Sequence, residues 1–218
     1  VGNDEIEGGA GDDVLYGEGG INDIGGGAGN DIIYVGDGST NINGDEGDDI
    51  IYGSPADDGD VKGDEGNDTI YGGAGDDILD GDEGNDTIYG EAGDDYLEGN
   101  EGNDKLVGGA GEDSFKAGSG NDIIDAGSGR DWIQTGDGSD LIVIRQGEGI
   151  VGGDVDHLTD FTDGVDLIAL DGLDYSDLVF TDVSGRVMVH SDTENFMYID
   201  GIDITELTEA DFVTYDIV

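Results

Sequence analysis

Residues 63–89 read GDEGNDTIY, GGAGDDILD, GDEGNDTIY, three nine-residue units laid end to end from Gly63 to Tyr89. Each has Gly at its fourth place, Asp at its sixth and one aliphatic residue at its eighth: Gly66, Asp68 and Ile70, then Gly75, Asp77 and Leu79, then Gly84, Asp86 and Ile88. Glycine reaches backbone angles closed to residues with a Cβ, so the first six places suit a tight turn. Within that turn the carboxylates of Asp68, Asp77 and Asp86 and the bent-out carbonyls face one point, where a hard cation taking about six to eight oxygens fits. The last three places, such as Thr69-Ile70-Tyr71, suit a short strand with only the middle side chain inward. The turn binds metal and the strand makes core.

Outward from this stretch, sixteen frames run from Val1 to Val143. Their eighth places are all apolar, from Ile6 and Leu15 through Phe115 to Ile142. The candidate metal ligands are Asp13, Asp31, Asp49, Asp68, Asp77, Asp86, Asp95, Asp104, Asp113, Asp122, Asp131 and Asp140. With them go the fourth-place glycines Gly11, Gly29, Gly47, Gly66, Gly75, Gly84, Gly93, Gly102, Gly111 and Gly120. In one frame Ala56 replaces that glycine, and Gly53 to Lys62 carries one residue too many, with the chain's single proline and with Gly59 after Asp58. An insertion in a solenoid is expected to bulge as a loop while neighbouring strands keep register.

The chain has 56 acidic and 6 basic residues among 218, a formal charge of −50, and none of the basic ones precedes Lys62. Such a chain repels nucleic acid and anionic membranes and invites multivalent cations. Without metal this composition is that of a disordered chain. There is no cysteine to staple the fold, so metal must serve that purpose. No apolar run approaches the roughly 20 residues of a membrane span. The sequence opens inside a repeat at Gly2-Asn3-Asp4 without a signal peptide, and reads as a fragment from the C-terminal part of something longer.

The nonapeptide resembles the RTX (repeats-in-toxin) family of hemolysin-type calcium-binding repeats. That resemblance implies an all-β, right-handed parallel β-roll in which two nonamers make one turn and each Ca2+ lies between loops two repeats apart. It also implies a type I secreted, extracellular protein, with the type I secretion apparatus as a partner. After Val143 the rhythm stops, and residues 144–218 are expected to form a non-repetitive, β-rich C-terminal cap on a roll of residues 1–143. Arg145 to Gly153 reads as a connection. Asp156 to Phe161 and Asp166 to Leu170 then alternate like strands around Gly164, Ser184-Gly185 signals a hairpin, Phe196 to Ile199 a strand, and Thr208 to Phe212 a short helical turn. The run from Asp156 to Asp166 is similar to the D-x-(I/L)-x-D-F-x-x-G-x-D pattern that follows the repeats in serralysin-type proteases. The ending Asp216-Ile217-Val218 is similar to the acidic-then-apolar ending of type I secretion substrates.

Folding alternate frames onto opposite sides gives two unequal edges. One carries an unbroken row from Asp13 to Asp140; the other begins Asp4, Asn22, Thr40 and Asp58, and weaker calcium sites are expected there. The same folding aligns ninth-place Tyr16, Tyr34, Tyr52, Tyr71 and Tyr89 on one outer face, and Glu46, Glu65, Glu83 and Glu101 in an acidic row. The tyrosines serve either sheet packing or contact with a glycan, a partner or a second copy. Enzyme signatures are missing: the two histidines, His157 and His190, belong to no H-E-x-x-H helix, and the repeat itself explains the acid pairs. The leading reading is a non-catalytic calcium-binding module that folds on meeting extracellular calcium. Its rivals are an adhesin or surface-layer module using the tyrosines, and the accessory tail of a secreted protease or polysaccharide-modifying enzyme.

Overall fold

The computed structural model describes residues 3–20, 22–36, 41–145, 155–162, 164–191 and 195–214. Successive strands alternate between two sheets, so each strand pairs with the one a full coil away in the chain. One sheet runs from Glu5–Ala10 through Asn41–Glu46 and Ile78–Glu83 to Trp132–Asp137; the other runs from Val14–Tyr16 through Thr69–Ala74 and Thr87–Ala92 to Leu141–Arg145. All pairings in this part are parallel, as in Ile24↔Ile42 and Ile70↔Ile88. The described residues contain no α-helix. This is the parallel β-roll that the nonapeptide period predicts.

The core follows from the period. One inward side chain per nonamer gives a single file per sheet, and Ile33, Ile42, Ile51, Ile70, Leu79, Ile88, Leu97 and Leu106 are fully buried. Each contributes about 1.5–3 kcal/mol on leaving water. Ile6 and Leu15, at the open end, are only partly buried.

Two features depart from the expected unit. Apart from the three-residue strands Val14–Tyr16, Ile32–Tyr34 and Ile50–Tyr52, most repeat strands run six residues, as Thr69–Ala74 does, through the first three places of the next unit. Half of the expected turn is therefore sheet, bent at its second place, where Asp45, Asp64, Asp82, Glu91 and Asn100 take left-handed φ of 69–74°. The insertion is absorbed at Gly59. Asp58 still bonds Asp77 nineteen residues away, while Asp60 already pairs with Ile78 in the regular register.

Strand pairing passes Val143 without a break. Asp156–Leu158 adds parallel to Trp132–Asp137, and Leu167–Asp171 adds to Leu141–Arg145, so the two strands expected around Gly164 enter opposite sheets. Asn195–Asp200 and Phe212–Thr214 extend each sheet once more. Val179–Asp182 and Arg186–His190 form an antiparallel hairpin whose corner residues Ser184 and Gly185 have φ of 60° and 86°, the positive pair that a two-residue hairpin turn favours. Thr208 caps the short 3-10 turn Glu209–Asp211. Leu158, Ile168, Val187, Phe196 and Ile199 join the same core. Residues 146–153 of the expected connection and Asp216-Ile217-Val218 lie outside the described residues.

Candidate metal centre

From Asp31 onward most sixth-place aspartates are anchored through one oxygen. The backbone N–H of Asp68 donates to Asp86 Oδ1 at 2.8 Å, Asp86 to Asp104 at 2.8 Å and Asp104 to Asp122 at 2.8 Å. Along the opposite edge Asp77 donates to Asp95 at 2.9 Å and Asp95 to Asp113 at 2.9 Å. These links span eighteen residues, one coil, and that from Asp49 to Asp68 spans nineteen across the insertion, so the carboxylates form two columns held in file by the main chain.

The second oxygen is the informative one. Oδ2 of Asp31, Asp49, Asp68, Asp77, Asp86, Asp95, Asp104, Asp113, Asp122, Asp131 and Asp140 is buried without a hydrogen-bond partner among the described residues. A buried polar atom left unmade costs about 1–3 kcal/mol, more for a charged group, and native proteins tolerate few of them. Eleven in two regular columns form a donor set whose open oxygens a bound cation would satisfy. The first-place glycines leave room for these oxygens: a Cβ on Gly44, Gly63, Gly81, Gly90 or Gly108 would overlap the Oδ2 of the aspartate five residues on. The fourth-place glycines act differently. Gly66, Gly84 and Gly102 have φ of 145–151°, and a Cβ on Gly84 would overlap the carbonyl of Gly66 in the preceding coil. They let coils stack, while the first-place glycines, absent from the sequence-derived ligand set, shape the oxygen cradle.

Burial pushes the Asp68, Asp77 and Asp113 carboxyls up to about 7, and those of Asp49, Asp86, Asp95, Asp104, Asp122 and Asp140 to about 6. The main-chain N–H bond from the preceding coil pulls each down only in part. Asp131 rises to about 8, through burial first and then the neighbouring charge of Asp156. Anionic, oxygen-only donors spaced by one strand, in loops without His or Cys, suit a hard divalent cation of calcium's kind.

The columns do not end with the repeats. Asp131 N–H donates to Asp156 Oδ1 at 3.0 Å, and Asp140 N–H to Asp166 Oδ1 at 3.1 Å. Both residues were missed as column members because their spacing is 25 and 26 residues rather than eighteen. The signal that could have found them is the local Asp-x-apolar triplet: Asp156-His157-Leu158 and Asp166-Leu167-Ile168 match Asp68-Thr69-Ile70. At the open end Asp4 is exposed and Asp13 half-buried. Asn22 and Asp58 do sit in the second column, each with partners from its own loop; Thr40 lies outside the described residues.

Beside the carboxylate columns run hydrogen-bonded ladders. On one edge Asn85 donates to Asn67 and Asn103 to Asn85 through both backbone and side-chain nitrogens, and on the other Asp94 N–H donates to Asp76 Oδ1. Glu46, Glu65 and Glu83 pair in register at the rim of a cleft also lined by Asp45, Asp64 and Asp82.

The five tyrosines stack as one ladder, with ring centroids 4.9–5.1 Å apart and planes within 4–11°. Tyr16, Tyr34 and Tyr52 are 60%, 39% and 37% exposed, and Lys105 Nζ closes the far end 5.6 Å from the Tyr89 ring. His157 stacks on Trp132 at 4.3 Å and is pushed down by burial and then by Arg186; His190 faces Thr181.

The family model for the RTX calcium-binding nonapeptide repeat matches residues 1–33, 34–59, 56–88, 80–115 and 116–148. No curated protein matches in sequence. Among solved structures, the extracellular lipase LipA from Serratia marcescens is 14% identical with a TM-score of 0.28, over 85% of this chain and 40% of the lipase chain. The AlgE6R3 subunit of the Azotobacter vinelandii mannuronan C5-epimerase is 20% identical with a TM-score of 0.29, over 78% of this chain and 80% of that one. This chain thus spans less than half of the lipase's length.

Proposed function

This chain belongs to the RTX calcium-binding nonapeptide repeat family, and from that premise we propose that it is the non-catalytic calcium module of a secreted protein, unfolded before export and folded by the calcium it meets outside. The observation that carries the reading is the double column of buried aspartate Oδ2 atoms without partners. In a calcium-poor cytosol the columns are sets of repelling charges with almost no basic residues to offset them. An unfolded chain is what a type I secretion channel accepts. Bound calcium supplies positive charge and fills the coordination of the Oδ2 row, so its binding free energy becomes folding free energy. Asp31 to Asp140 orient and hold the ion, the first-place glycines admit it, and the single-file apolar core closes once the loops are neutral. The hydrophobic file alone is too thin to hold a domain of this size.

The test is a calcium titration of the chelator-treated chain, followed by circular dichroism and by counting bound ions. Cooperative conversion from little regular structure to β is expected by millimolar calcium. A full β spectrum in excess chelator at neutral pH would show that folding does not need the metal.

A second reading rests on the tyrosine ladder. Its rings are stacked face to face, partly exposed and borne on one sheet, so that a row of ring edges and hydroxyls is presented outward, a surface that can contact a glycan or another roll. It is supported if replacing Tyr34, Tyr52 and Tyr71 by Ser abolishes glycan binding or self-association while calcium-dependent folding persists. A wild type that is monomeric and binds no glycan reduces the ladder to sheet packing.

A further inference from the structure

Three positions in the carboxylate columns look unlike the rest. Asn22 makes the same link as its aspartate counterparts, accepting from Asp4 N–H at 3.1 Å through Oδ1. Its other terminal atom, an amide nitrogen where the others carry Oδ2, donates to the Gly17 carbonyl at 2.7 Å inside the buried loop. Asp58 accepts from Ser54 N–H at 2.6 Å on Oδ2 and from the Ser54 hydroxyl at 3.0 Å on Oδ1. Asp166 accepts from Thr162 N–H at 2.8 Å on Oδ2 while its Oδ1 takes the Asp140 link. All three are as buried as the aspartates whose Oδ2 has no partner.

We propose that Asn22, Asp58 and Asp166 are metal-independent rungs, where a hydrogen bond from the chain itself stands in place of the cation, so that calcium is confined to the stretches between them. This rests on the reading of the orphaned Oδ2 atoms as calcium ligands. The chemistry is direct. A buried oxygen whose neighbour is a donor N–H needs no ion, and an amide presents a donor N–H that repels a cation and carries no charge to neutralise. The placement is consistent with this role. Asp58 sits beside the Gly59 insertion in the frame that lacks the fourth-place glycine, and Asp166 lies beyond the last repeat, 26 residues after the Asp140 it links to. At those two places a cation bridging regular loops would lack half of its site. The roll is thus divided, with self-satisfied rungs near its open end, at its flaw and beyond its last repeat.

The experiment compares three variants of this chain with wild type, counting bound ions by native mass spectrometry and following folding by circular dichroism during calcium titration. Asn22→Asp removes the Gly17 bond and adds a buried carboxylate, so one more calcium per chain and a folding midpoint at higher calcium are expected. Asp86→Asn places an amide against Gly81 as Asn22 does against Gly17, so it is expected to lose one ion yet fold at lower calcium than Asp86→Ala. If wild type binds calcium but Asn22→Asp matches it in ion count and midpoint, or Asp86→Asn matches Asp86→Ala, the metal-independent rungs are refuted. A wild type that binds no calcium overturns the functional reading itself.

Discussion

Removing calcium at pH 7.5 should unfold the roll, and lowering the pH without metal should partly restore it. Ten aspartates, from Asp49 to Asp140, have carboxyls raised from 3.8 to between about 6 and about 8, with burial the first cause in each. Raising a carboxyl from 3.8 to about 6 disfavours its charged form by about 3 kcal/mol. Ten such carboxyls in two columns set a penalty on the metal-free fold at pH 7.5 that is large beside the total stability of about 5–15 kcal/mol of an ordinary domain. The sign follows from proton counts. Between about pH 4 and pH 7 the folded state binds more protons than the unfolded one, so metal-free stability rises as pH falls through the folded values near 7 and 6. Circular dichroism of the metal-free chain at pH 7.5, 6.5, 5.5 and 5 is the assay, kept above the pI near 4.1 to avoid precipitation. Growing β signal toward pH 5, with calcium making the spectrum nearly pH-independent over the same range, is the expected result. A metal-free chain equally unfolded at pH 7.5 and pH 5 would refute the claim that carboxylate desolvation is what calcium offsets.

Other substitutions separate the parts. Asp86→Ala should raise the calcium midpoint of folding more than Asp4→Ala, because Asp86 is buried mid-column and Asp4 is exposed at the open end; equal midpoints count against the column. Gly84→Ala is expected to destabilise the calcium-loaded roll by more than 1 kcal/mol in thermal melts, since φ of 146° and the Gly66 carbonyl both exclude a Cβ. Ile88→Ala should cost about 2–5 kcal/mol with little change in ion count, as its side chain is wholly inside the apolar file. Denaturant unfolding in saturating calcium reads that loss, and a cost below 0.5 kcal/mol would mean the file packs loosely.

The nine-residue period, taken alone, determined which residues are core and which are candidate ligands. It could do so because both assignments are local: in a repeating turn-and-strand unit, place in the unit fixes direction, so Ile70, Leu79 and Ile88 point inward wherever the coils come to lie. The tyrosine alignment was legible for the same reason, eighteen residues being two periods. What tertiary structure decided is everything that depends on the coil next door. The hydrogen-bonded link from one aspartate to the next fixes which carboxylate oxygen is held and which is left open, and it carries the columns to Asp156 and Asp166 across spacings that no period marks. The division of labour between first-place and fourth-place glycines is of the same kind. One leaves space for an oxygen of its own loop and the other for a carbonyl of the preceding coil, contacts that two glycines in a sequence cannot express. Asn22 shows the limit most clearly. In sequence it is a weakened ligand, whereas in the fold its amide meets the Gly17 carbonyl and completes the rung, because satisfaction of a buried polar atom depends on what stands opposite it.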